Sequence, residues 1–170
     1  MEPVPQHGCG RRQRVRLGPV HCGQCLCGQR DEDDAAVELY ELAEHVLRYR
    51  IDQGAGTQQD ESDLPLLSSN LAYAYSDAHH TAEHLATWSE AVSQQRQVHG
   101  AGFDQDSDWV LAIMLNGFAG AAIELGFESE AKSSLQEAED LLAHVFERRP
   151  VAAKVVLDQI NPARSKLLAK

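Results

Sequence analysis

Cysteine and histidine are concentrated near the start of the chain, in the segments HGCG (7–10) and HCGQCLCG (21–28). Thiolates bind zinc tetrahedrally, and the Cys-x-x-Cys spacing of Cys22 and Cys25 lets a tight turn at Gly23 direct two sulfurs toward one ion. The candidate ligands are Cys9, Cys22, Cys25, Cys27 and His7, with His21 as an alternative fourth ligand. This pattern predicts a structural zinc ion. A catalytic zinc would need an open coordination position and a nearby general base, and no pattern indicates either.

Residues 1–30 are predicted to form a basic, irregular head. They hold five arginines against one acidic residue, Glu2, which gives a charge of +4. The head is similar to zinc ribbons and knuckles, although its first half offers His-x-Cys where that family has Cys-x-x-Cys. So polar a segment would draw most of its folding free energy from metal binding. Two alternatives stay open, a disordered tail with free thiols and a redox pair of cysteines.

Two other patterns could bind metals. HTAEH (80–84) matches the inverted zinc-protease motif, which puts two imidazoles on one helical face. DQDSDW (104–109) begins like a calcium loop, but Trp109 stands where the loop needs glycine and Leu115 where it needs glutamate. We interpret the first as a helix–helix turn and the second as an acidic helix cap. A small helical enzyme with its site at residues 79–84 is the weakest of the alternatives.

The rest of the chain is acidic and has the composition of a helical domain. Residues 31–170 hold ten basic and twenty-five acidic side chains, a charge of −15. Such a surface repels a phosphate backbone, so nucleic-acid contacts are expected only through residues 1–30. We expect no membrane span and no signal peptide, and therefore a cytoplasmic protein. Few aromatic residues and much alanine and leucine favour packed helices over a sheet.

Apolar residues recur at three- and four-residue steps through most of the domain, which predicts helices. The expected helices cover 31–52, 64–78, 82–98, 107–125 and 129–147, with a last one from Pro150 that Pro162 interrupts. Residues 53–63 are predicted to be a polar linker. Acidic residues at the start of the first helix, with Arg48 and Arg50 at its end, match the helix dipole. Gly126 is predicted to end a helix in the left-handed conformation.

The two longest hairpins follow one template. A shift of 47 residues places Leu71, Ala72, Tyr75, Trp88 and Ala91 on Phe118, Ala119, Ala122, Leu135 and Ala138, so that all pairs except Tyr75 and Ala122 match in size. A shift of 48 places Tyr40 and Ala43 on Trp88 and Ala91. The first helix is therefore predicted to be the second half of an incomplete unit. Closely packed helices need small residues where their axes approach and large ones on either side. The small set is Ala72, Ala91, Ala119, Ala131 and Ala138, and the large set is Leu71, Tyr75, Trp88, Phe118 and Leu135.

This pattern resembles the tetratricopeptide repeat (TPR) family over about residues 64–147. In the second hairpin Leu115, Phe118-Ala119, Ala122, Gly126, Ala131, Leu135 and Ala138 occupy the family positions, and in the first Leu71-Ala72, Tyr75, Trp88 and Ala91 do so. The first hairpin departs from the family at Ser68, His79 and His84, and the period exceeds the usual length. The resemblance implies an all-α fold of antiparallel hairpins stacked as a short superhelix over 31–170, preceded by the head of 1–30.

In that family the first helix of each hairpin lines a concave groove. The resemblance places seven residues there: Ser69, Asn70, Tyr73, Asp77, Asn116, Gly120 and Glu124. A groove with these polar and acidic residues, and no lysine or arginine, would suit a basic or amphipathic segment of a partner protein. The expected function is a non-catalytic interaction module. The alternative is a zinc-containing regulator whose basic head contacts nucleic acid.

The chain holds two and a half units, and three are usually needed for stability. We expect the C-terminal segment to cap the open end through Val151, Val155, Val156 and Ile160. The alternative is that the C-terminal segment leaves that end open and a second copy of the protein covers it, which would make a homodimer.

Overall fold

The computed structural model describes residues 26–101 and 107–168, with side chains within 32–101 and 107–167, and this part of the chain forms six helices. The helices are α1 (Leu26–Asp52), α2 (Gln58–Asp77), α3 (Thr81–Ala101), α4 (Ser107–Glu124), α5 (Glu128–Arg148) and α6 (Pro150–Leu168). All regular structure in these ranges is helical, which confirms the all-α prediction. Each helix packs on the next one along the chain, and α6 also contacts α4.

The two predicted hairpin turns share one hydrogen-bond pattern. His79 has φ 63° and Gly126 has φ 82°, so both end their helix in the left-handed region. The next amide donates five residues back in each turn, from His80 to Tyr75 O and from Phe127 to Ala122 O, both at 2.8 Å. The three residues of the second turn, Gly126, Phe127 and Ala122, each come 47 residues after their counterparts in the first turn. Gly126 is therefore a helix stop, as predicted, and the chain around it folds back into an antiparallel partner.

The alternation of small and large residues forms the core. All five alanines predicted at the helix crossings have no exposed surface. Of the large set, Leu71, Trp88 and Leu135 are at most 3% exposed and Tyr75 is 9% exposed, whereas Phe118 is only partly buried. One cluster extends from Ala72 on α2 to Leu167 on α6. A smaller cluster joins α1 to α2 through Val37, Leu71, Ala74, Tyr75 and Ala78.

Two ion pairs connect alternate helices at nearly the spacing of the turns. Arg48 on α1 contacts Glu90 on α3 at 2.6 Å, and Arg96 on α3 contacts Glu137 on α5 at 2.5 Å. The arginines are 48 residues apart and the glutamates 47. One ion pair thus connects α1 to α3 and the other connects α3 to α5.

Helix α1 and helix α2 start earlier than predicted. Helix α1 begins at Leu26, so residues 26–30 of the predicted irregular head are helical and the first turn contains no acidic residue. No proline stops the helix there, and Gly28 costs only about 1 kcal/mol relative to alanine.

Helix α2 begins at Gln58, inside the predicted linker. Thr57 and Asp60 form a capping box, in which the Thr57 hydroxyl accepts from Asp60 N at 3.1 Å and the Thr57 amide donates to Asp60 Oδ2 at 2.7 Å.

Helix α6 differs from its prediction in two respects. It continues through Pro162 to Leu168, because Ile160 and Leu167 are buried on either side of the proline and hold both segments on the core. It packs through Ala153, Val156 and Ile160, whereas Val151 and Val155 are 78% and 54% exposed. The prediction that those two valines cover the open end is therefore wrong. At 3.6 residues per turn they lie on a different face from Val156 and Ile160.

Candidate partner-binding groove

The seven predicted groove residues fall on α2 and α4 in register. Ser69, Tyr73 and Asp77 on α2 lie 47 residues before Asn116, Gly120 and Glu124 on α4. Tyr73, Asp77 and Glu124 are exposed, as is Asn70. Space beside Gly120 is open, since a Cβ added there would meet no atom within 4 Å. These five residues are available to a ligand.

Ser69 and Asn116 are less available. Ser69 is 8% exposed, and its hydroxyl donates to the carbonyl oxygen of Leu66 at 2.7 Å. Asn116 is partly buried, and its Oδ1 is buried without a hydrogen-bond partner among the described residues. Two of the seven predicted groove residues are therefore less accessible to a ligand than the sequence predicted.

Trp88 on α3 lies against both α2 and α4 and would form the floor of the candidate groove. Its ring is 1% exposed and meets the Tyr73 ring edge to face, with the centroids 5.0 Å apart. On the other side it lies against Gly117 of α4, where an added Cβ would overlap the indole carbons. Gly117 is the position 47 residues after Asn70 and was not among the predicted groove residues. Its signal in the sequence is a glycine within an alanine-rich helix, where alanine is otherwise preferred.

His84 lies beneath the same groove. The indole N–H of Trp88 donates to His84 Nε2 at 3.0 Å, so the neutral ring carries its proton on Nδ1. Burial lowers the pKa of His84, and the carboxylates of Glu124 and Asp77 oppose that shift. The position of the family alanine, where this chain has His84, is a packing position in the TPR resemblance, so burial is expected there. The structure confirms its burial, at 7% exposed, and adds its bond to the groove floor.

Asp77 and Glu124 are the last residues of α2 and α4. A carboxylate at a helix C-terminus faces the negative end of the helix dipole, which is unfavourable by a few tenths of a kcal/mol or more. Within the described residues, neither carboxylate forms an ion pair with a lysine or arginine. Both would therefore gain from a cation brought by a ligand.

Helix α1 extends the surface beyond the prediction. Three predicted residues on α2, Asn70, Tyr73 and Asp77, line one side of an open pocket of about 180 Å³, and Asp33, Ala36 and Tyr40 of α1 line the other. Asp33 adds a third carboxylate to the surface, and it lines the same pocket as Asp77. Helix α1 was not among the predicted groove elements, because the TPR resemblance places the groove only on the first helix of each complete hairpin.

Most of the predicted zinc ligands lie outside the described residues, namely Cys9, Cys22, Cys25 and His7. Cys27 lies in the first turn of α1, and its side chain is also outside the described part. Between 32 and 101 and between 107 and 167, no group of three or more His, Cys, Asp or Glu side chains is placed to hold a metal ion. The two histidines of HTAEH have separate partners, since His80 lies 3.7 Å from Asp34 while His84 accepts from Trp88.

Comparisons of the chain with protein-family models, with curated proteins and with solved structures find no match. The functional interpretation therefore rests on the internal repeat and on the groove geometry. Within the described residues, no helix combines the length and the apolar character needed to cross a bilayer.

Proposed function

We propose that this protein is a non-catalytic interaction module of TPR-like hairpins, which binds a basic or amphipathic segment of a partner protein in the groove between α2 and α4. The repeated turns at His79 and Gly126 support the repeat assignment. So do the ion pairs Arg48–Glu90 and Arg96–Glu137, because they connect alternate helices at nearly the spacing of the turns. Elements that repeat in this way stack side by side and present a continuous surface for a ligand.

The observation that carries the proposal is the pair of carboxylates at equivalent positions. Asp77 and Glu124 end α2 and α4, lie near the buried His84 and have no cationic partner within the described residues. A lysine or arginine of a bound segment would be attracted by both carboxylates and by the two helix dipoles. Tyr73 and the open space at Gly120 would receive the apolar part of that segment.

A displayed library of random peptides tests this function. We expect selection on the full chain to enrich lysine and arginine, and the selected peptides to bind more weakly as salt is raised. Replacing both groove carboxylates, with Asp77→Lys and Glu124→Lys, should weaken these peptides by roughly tenfold or more, about 1.4 kcal/mol. The reason is that each peptide cation would then meet like charge.

The matched control is Asp140→Lys with Glu147→Lys, which reverses two exposed acids on α5. It should leave peptide affinity within a factor of about two, since net charge alone acts weakly over distances beyond the Debye length. Selection without enrichment of basic residues would contradict the proposal. Equal effects of the groove and control substitutions would contradict it as well.

A further inference from the structure

Helix α1 is apolar on two opposite faces. Its inner face holds Val37, which is 5% exposed, in the small cluster with α2. Its outer face holds four large apolar side chains, which we call the outer stripe: Leu39, Leu42, Val46 and Tyr49, at 68%, 61%, 49% and 60% exposed. A helix at the edge of a soluble domain normally carries polar residues on its outer face. The outer stripe therefore has the composition of an interface.

The outer stripe has the spacing of a coiled-coil seam. Its members follow one another at steps of three, four and three residues, as the a and d positions of a heptad do. Beside them lies a shallow hollow of about 350 Å³, lined by Leu39, Leu42, Ala43, Val46, Leu47 and Arg50. Side chains of a second helix with the same period could enter such a hollow as knobs.

We propose that a second copy of this chain covers the outer stripe, with the two α1 helices packed antiparallel across a two-fold axis near Glu44. Leu39 and Tyr49 lie five residues on either side of position 44, and Leu42 and Val46 lie two residues on either side. An antiparallel pair thus sets Leu39 against Tyr49 of the second copy, and Leu42 against Val46 of the second copy. The stripe is its own complement, as a two-fold interface requires.

Charge decides the direction of the pair. Helix α1 carries Glu32, Asp33 and Asp34 near its start and Arg48 and Arg50 near its end. A parallel pair would bring the two acidic clusters side by side, where like charges repel. An antiparallel pair separates them by about 33 Å, at 1.5 Å per residue, which is well beyond the Debye length at physiological salt.

Residues 1–25 of the same chain are a poorer occupant. They supply valine and leucine only at Val4, Val15, Leu17 and Val20, without heptad spacing. They also join α1 at Leu26, about 20 Å along the helix from Leu39, so they would have to turn back to reach the stripe. A second copy brings four matching side chains in register. The geometry therefore favours self-association, and the dimer would carry two peptide grooves.

Sedimentation equilibrium of the full chain over a range of concentrations tests the dimer. We expect the wild-type chain to be dimeric and Leu42→Glu to weaken the dimer by roughly tenfold or more, because two buried carboxylates would replace two leucines. The control Val151→Glu changes an even more exposed apolar residue, on α6, and should leave the dimer intact. Far-UV circular dichroism should show the same helix content in all three chains.

The direction of the pair is tested by adding Val46→Lys to Leu42→Glu. In an antiparallel pair the new carboxylate at position 42 faces the new ammonium at position 46 of the second copy, so dimerisation should recover. In a parallel pair the carboxylate at position 42 would face the same carboxylate of the second copy, and the ammonium at position 46 would face the same ammonium. The double variant would then stay monomeric. A monomeric wild-type chain, a dimer unaffected by Leu42→Glu, or a double variant that stays monomeric would each overturn the proposal. Peptide binding in the groove is a separate readout, which Leu42→Glu should leave unchanged.

Discussion

At the scale of single residues, His84 gives the protein a pH dependence with a definite sign. Burial lowers the pKa of His84 in the folded state below its ordinary value of 6.5, which the unfolded chain keeps. At a pH between the folded-state pKa and 6.5, the unfolded chain therefore binds more protons than the folded one. The free energy of unfolding should therefore fall as the pH falls from about 6.5 through the folded-state pKa, and this contribution levels off below it. Above pH 6.5 the contribution is fully present and constant.

Urea denaturation at a series of pH values measures this dependence, and His84→Gln is the matched variant. The glutamine carbonyl can still accept a hydrogen bond from the Trp88 indole but cannot titrate. The difference in unfolding free energy between wild type and variant should change below pH 6.5. A constant difference across that range would show that His84 does not titrate against folding.

Gly117 and Gly120, one turn apart on α4, should respond in opposite directions to alanine. Gly117→Ala would push a methyl group into the Trp88 ring and should destabilise the fold by about 1–3 kcal/mol. Gly120→Ala meets open space and should stabilise the helix by about 0.5–1 kcal/mol. Denaturant titration with tryptophan fluorescence measures both variants. Equal effects would mean that the Trp88 ring does not lie against α4.

At the scale of elements, the two hairpin turns predict another opposite pair. Gly126→Ala forces alanine into the left-handed region and should cost about 1–2 kcal/mol. His79→Gly relieves the same strain at the equivalent position and should stabilise the protein, by roughly 0.5–1 kcal/mol after the extra chain entropy of glycine. His79 is exposed, so little packing is lost. Thermal unfolding of the two variants, compared with wild type, would contradict the repeat of turns if both shifted in one direction.

Helix positions, turns and core alanines were predictable because each depends on local spacing. The period of 47 residues located Gly126 and its counterpart His79 without coordinates. Predictions failed where tertiary packing decides the outcome, as at Pro162, where burial of Ile160 and Leu167 outweighs the cost of the proline. The contact between Trp88 and Gly117 could not be predicted either, because it depends on which helix packs against α4 at that position.

At the scale of the whole molecule, the core is uneven and its stability should follow. One large cluster joins α2 to α6, whereas α1 is held by a small cluster, the ion pairs of Arg48 and Arg50 and, in the proposed dimer, the outer stripe. Repeat proteins gain stability mainly from neighbouring interfaces, so an end element with one neighbour opens most easily. We expect amides of α1 to exchange with deuterium faster than those of α4 and α5.

Two substitutions divide this behaviour between the ends of the molecule. Ile160→Ala removes a side chain with no exposed surface from the large cluster, should cost about 2–5 kcal/mol, and should speed exchange in α4, α5 and α6. Leu42→Glu should speed exchange in α1 alone, because it removes only the cover of the outer stripe. Hydrogen exchange followed by mass spectrometry resolves these segments. If α1 were as protected as α4, or if Leu42→Glu accelerated every helix equally, the end helix would be part of one undivided cooperative unit.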